Sequence, residues 1–64
     1  MGITLKQARV GVGYSQMEIA EKLGISLNTY RRYEQNPEKM AIDKALQFCA
    51  ITNTTPDDLF FGVR

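Results

Sequence analysis

Hydrophobic residues recur along this chain at helical spacing, and short polar punctuation interrupts them. Leu5, Ala8, Arg9 and Val12 share one helical face. Thr4-Leu5-Lys6-Gln7 opens that helix with a capping hydroxyl and a glutamine three residues on. Gly11 and Gly13 weaken its end, because each glycine adds backbone freedom to the unfolded chain. Ser15-Gln16-Met17-Glu18 is a full capping box, and Met17 or Ile19, with Ala20 and Leu23, forms the inward stripe that follows. Gly24 ends this second helix, and Ser26 caps a third two residues later. Asn36-Pro37 breaks the third helix. A fourth helix over 41–51 is expected to bury Ile42, Ala45, Leu46 and Cys49. Thr52-Asn53-Thr54 reads as a loop. Thr55-Pro56-Asp57-Asp58 then opens a fifth short helix, with acids at its positive end, and Gly62 stops it. Strand-type alternation is absent over any useful length. The pattern predicts an all-α fold of five short helices in one domain, 1–64. Its second and third helices, 15–23 and 26–35, are separated by a brief glycine-containing turn, which is helix-turn-helix spacing.

On a helix over 26–35, with Tyr30 facing the core, Leu27, Tyr33 and Glu34 fall within about 60° of it. Asn28, Arg31, Arg32 and Gln35 fall on the far side, between about 100° and 200° away, and Thr29 lies on the flank. That polar side has two readings. One is a solvated surface. The other is base reading, since asparagine can bond adenine through two atoms and arginine can do the same to guanine. The second helix of a helix-turn-helix is the one whose N-terminal part enters the major groove, which favours the second reading.

Size and composition narrow the classes. Sixty-four residues allow one compact domain, and 44% hydrophobic residues suffice for its core. Cys49 is the sole cysteine, so no disulfide is available within the chain. It is expected to be a small buried hydrophobe in a reducing compartment. The chain carries no long apolar run and no secretion signal, and the expectation is a soluble, cytoplasmic protein. Net charge is +1, with five cations against three acids over 1–35 and three against four over 36–64. Charge thus permits nucleic-acid binding without arguing for it.

At the residues S-Q-M-E-I-A-E-K-L-G-I-S-L-N-T-Y-R-R-Y-E, positions 15–34, the chain resembles the helix-turn-helix of the phage repressor and Cro family, the lambda-repressor-like or xenobiotic-response-element type. The likeness extends over about 5–62 and includes the closing T-P-D-D-L-F. It implies a five-helix domain that binds two-fold symmetric operator DNA, commonly as a homodimer, and regulates transcription, as a repressor in the first instance. By position it implies that Gln16 holds a DNA phosphate, that Leu27, Asn28 and Arg32 read bases with Arg31 beside them, and that Arg9 and Glu34 pair helix 1 with the recognition helix. It makes Lys39, in the loop after that helix, a second phosphate candidate. Two departures stand out. Leu27 offers only apolar contact, to a thymine methyl, or is half core. The loop 35–40 lacks the family's usual glycine.

Other chemistry finds little support. There is no histidine, no thiol partner for Cys49, no metal-ligand spacing and no phosphate loop; Asp57 and Asp58 suit capping better than acid–base work. Neither an enzyme nor a cofactor is expected. The rival is a protein-interaction module of the same fold, an antitoxin or antirepressor, with weak or no DNA binding. Leu59, Phe60, Phe61 and Val63 exceed what one short helix can turn inward. Phe61 and Val63 are therefore expected to form a two-fold dimer contact, spacing two recognition helices about 34 Å apart.

Overall fold

A computed structural model describes residues 3–61 of the chain, with the side chains of Phe60 and Phe61 excepted. Within them lie α1 (Leu5–Gly11), α2 (Gln16–Leu23), α3 (Leu27–Gln35), a 3-10 turn (Pro37–Lys39), α4 (Ile42–Thr52) and a closing π-type helical segment, α5 (Asp57–Phe61). Among the described residues there is no strand.

Side-chain caps set the starts of α1, α2 and α3. The Thr4 hydroxyl accepts from Gln7 N at 3.0 Å, and the Gln7 amide oxygen accepts from Thr4 N at 2.9 Å. Ser15 and Glu18 repeat this exchange at 3.1 and 2.8 Å ahead of α2. Ser26 accepts from Thr29 N at 3.1 Å and so opens α3. Each pairing satisfies backbone donors that have no partner inside the helix. The stops are as local. Gly24 takes a left-handed φ of 71°, which a side chain would strain, and begins the three-residue turn from α2 to α3. Asn53, at φ 57°, closes α4 in the same conformation. Ile3 N donates to the Asp58 carbonyl at 2.9 Å and ties the start of the described chain to α5.

The core sits where α1, α2, α3 and α4 meet. Leu5, Ile19, Leu23, Tyr30 and Phe48 are its largest fully buried side chains, joined by Ala8, Ala20, Met40, Cys49 and Leu59. The Tyr30 and Phe48 rings stack at 6.2 Å between centroids. Burial lifts the Cys49 thiol above its ordinary pKa.

Four positions depart from the inward assignments. Val12 follows the last residue of α1 and is 38% exposed, and Met17 yields its inward place to Ile19 and is 58% exposed. On α4 the whole phase shifts. Ile42 and Leu46 are 79% and 54% exposed, whereas Phe48 and Thr52 are buried. The inward set Ala45, Phe48, Cys49 and Thr52 has the same spacing as Ile42, Ala45, Leu46 and Cys49, moved three residues along the helix. The Phe48 ring decides between them, because it removes more apolar area from water than either aliphatic alternative.

Candidate nucleic-acid interface

On its inner side α3 is held through Glu34. The Oε2 atom accepts from Arg9 Nε at 2.8 Å and from the Tyr30 hydroxyl at 2.7 Å; Oε1 accepts from Gln16 Nε2 at 3.0 Å. Arg9 also donates from a terminal guanidinium nitrogen to the Tyr14 carbonyl at 2.8 Å. One carboxylate thereby joins α1, the N-terminus of α2 and α3. The Arg9 and Glu34 side chains are 9% and 11% exposed, so the pair is largely withdrawn from water. Burial works to raise the Glu34 pKa, but the hydrogen bonds from Tyr30, Arg9 and Gln16 and the guanidinium charge outweigh it and hold the carboxyl below its ordinary value. Burial and then the adjacent carboxylate push the Tyr30 phenol upward. For Arg9, burial works downward and Glu34 more than reverses it.

The other side of α3 faces out. Asn28, Arg31, Arg32 and Gln35 are exposed, Leu27 is half-buried, and Thr29 accepts from the Ser26 hydroxyl at 2.9 Å on the flank. Asn28 and Arg32 lie one turn apart, so their side chains are neighbours on this side. Among the described residues neither has a hydrogen-bond or ionic partner. Arg31 differs: its Nε donates to the Gln16 amide oxygen at 3.3 Å, which turns the side chain toward the start of α2.

The remaining cations sort by partner. Lys22 sits 4.8 Å over the Tyr14 ring, and Lys44 donates to the Leu23 carbonyl at 2.9 Å, where it meets the negative end of α2. Lys6 and Lys39 are exposed, Lys6 on the first turn of α1 and Lys39 at the end of the 3-10 turn after α3. Among the described residues, the cations left with charge available at the surface are therefore Lys6, Arg31, Arg32 and Lys39. A slightly positive chain thus presents its cations unevenly.

Sequence reasoning missed Lys6, the Tyr30 hydroxyl and the Tyr14 carbonyl. Tyr30 and Glu34 are four apart on one helix, a spacing that signals contact. The Tyr14 carbonyl carries no signal in the sequence, because backbone acceptors have none. Val63 and the Phe61 side chain, assigned to a dimer contact, lie outside the described residues. Among the described residues no three His, Cys, Asp or Glu side chains gather as a metal site, and no helix is long and apolar enough to cross a membrane.

Comparison with known proteins agrees with this geometry. The Helix-turn-helix family profile matches residues 5–59. The HTH-type transcriptional regulator ImmR of Bacillus subtilis (strain 168) is 37% identical over 59 residues, which cover 92% of this chain and 46% of that protein. The chain thus spans under half the length of that relative. No solved structure gives a significant match.

Proposed function

Because the chain belongs to the helix-turn-helix family, in its phage repressor and Cro type, we propose that it is a sequence-specific DNA-binding transcriptional regulator, a repressor, which inserts α3 into the major groove of an operator. One observation carries this reading. The contacts that hold α3 in the fold lie on its inner side, and Asn28 and Arg32 stand unpartnered on the outer side. Asn28 is the second residue of α3, at the end that reaches furthest into a groove. It bonds an adenine, and Arg32, one turn on, bonds a guanine. Leu27 supplies apolar contact to a thymine methyl. Gln16 at the start of α2 and Lys39 beyond α3 hold backbone phosphates on either side.

The experiment is a selection of bound duplexes from a random pool, followed by single-base variants of the preferred site at two salt concentrations. Arg32→Ala is expected to cost about 1–3 kcal/mol on the preferred site and to flatten preference at one base pair. Asn28→Ala is expected to do the same at a neighbouring pair and to leave the salt slope unchanged, because an amide displaces no counterions. If Asn28→Ala weakens every variant equally, the assignment of Asn28 is wrong. If the parent chain has no affinity for duplex DNA at low salt, the chain is instead a protein-interaction module of this fold.

Two copies on a two-fold operator, joined through Phe61 and Val63, would place two α3 helices about 34 Å apart. Phe61→Ser is then expected to sediment as one copy per half-site duplex and to lose cooperative occupancy of the full operator. Unchanged cooperativity would remove Phe61 from the interface.

A further inference from the structure

Beside α3, an open depression of about 380 Å³ lies between α1 and the start of α2, lined by Thr4, Lys6, Gln16, Arg31, Glu34 and Gln35. Two of these side chains, Lys6 and Arg31, bring positive charge. The one acid, Glu34, is already neutralised by Arg9 and further occupied by Tyr30 and Gln16. The depression therefore has two uncompensated cations on its walls.

Gln16 fixes the arrangement. Its Nε2 donates to Glu34 and its Oε1 accepts from Arg31 Nε, so the amide is held at both ends with one N–H to spare. Arg31 uses Nε in that bond, and its terminal nitrogens have no partner among the described residues. A guanidinium anchored at Nε with its outer donors open presents a fork to a phosphate oxygen pair. The same anchor draws Arg31 off the row of Asn28 and Arg32 and toward α2.

The geometry points to a two-cation phosphate seat here: Arg31, positioned by Gln16, and Lys6 across the depression together grip the DNA backbone, and Arg31 does not read a base. This rests on the DNA-binding reading above and changes the role that sequence position suggests for Arg31. It also brings α1, through Lys6, into contact with DNA. Specificity then narrows to Leu27, Asn28 and Arg32.

The test measures affinity of the parent chain, Arg31→Gln, Arg31→Lys and Lys6→Gln for a mixed-sequence duplex across a salt series. The same chains are then titrated with single-base variants of the selected site. Each Gln variant is expected to reduce the slope of log affinity against log salt by about one. Between about 50 and 200 mM salt each should therefore lose about threefold less affinity than the parent loses. Arg31→Lys should keep the parent slope, because the charge remains. Preference among base variants should survive in all three. An unchanged slope in Arg31→Gln, or preference flattened at one base pair, overturns the seat and leaves the DNA-binding reading intact. An unchanged slope in Lys6→Gln overturns the two-cation form. A parent chain that does not bind the mixed duplex overturns both. All four chains should melt alike, since Lys6 and Arg31 are exposed.

Discussion

Glu34→Ala is expected to destabilise the fold by about 3–5 kcal/mol, the range for removing one partner of a buried ion pair. The magnitude follows from burial. At 9% and 11% exposure the pair is largely out of water, so cutting away one side chain leaves the other's charge poorly solvated. Arg9 would keep the Tyr14 carbonyl but lose its counter-charge, and the Tyr30 hydroxyl and the Gln16 amide would lose their acceptor. An exposed pair would cost at most about 1 kcal/mol, so thermal melts decide between the two cases. For a domain of this size each kcal/mol moves the midpoint by roughly 4–8 °C. Replacing both partners, as in Arg9→Met with Glu34→Met, should recover part of the loss, because no charge is then stranded. Acid should act on the same group. The folded carboxyl sits below its ordinary value, so the unfolded chain takes up the proton first. The stabilisation is complete above the ordinary glutamate pKa of about 4.3 and is lost as pH falls through the folded value. The Glu18 carboxylate, lowered by its bonds to Ser15, contributes in the same direction. A Glu34→Ala chain should therefore lose less stability than the parent between neutral pH and about pH 3. Parallel acid profiles would contradict this account of the hub.

Phe48→Ala should cost about 3–5 kcal/mol as well, through a different mechanism: the lost transfer of a ring from water plus the cavity it leaves against Tyr30. Leu46→Ala and Ile42→Ala, two and six residues earlier on the same helix, should stay within about 0.5 kcal/mol, because both side chains already face water. Chemical denaturation of the three variants separates the two phases of α4. A large loss for Leu46→Ala with a small one for Phe48→Ala would restore the phase that hydrophobic spacing alone suggests.

That contrast marks where the sequence was legible. The helix starts were readable because a capping box is a local event, complete within four residues, as at Thr4 and Ser15. The turn at Gly24 was readable for the same reason. The phase of α4 was not, since 42–52 contains two overlapping stripes at equal spacing, one of them ending on Thr52, and packing of Phe48 against Tyr30 selects that one. At the candidate interface the polar side of α3 followed from its 3.6-residue period. The difference between Arg31 and Arg32 did not, because it depends on Gln16, fifteen residues away in the chain. The hub was visible as a likeness at Arg9 and Glu34, whereas the parts played by Tyr30, Gln16 and the Tyr14 carbonyl needed coordinates.

The one-sided anchoring of α3 also bears on how a chain of this kind can diverge. Its foundations, at Arg9, Tyr30 and Glu34, share no atom with Asn28 or Arg32. Exchanges at the two outward positions therefore cost the fold little and require no compensating change beneath them. A lineage can drift from one target to another by single steps, each passing through a folded intermediate. Arg31 is less free, because its bond to Gln16 sets where its terminal nitrogens point. Inheritance should accordingly be loose at 28 and 32 and tight at 9, 16, 30 and 34, with retargeting and folding under separate control.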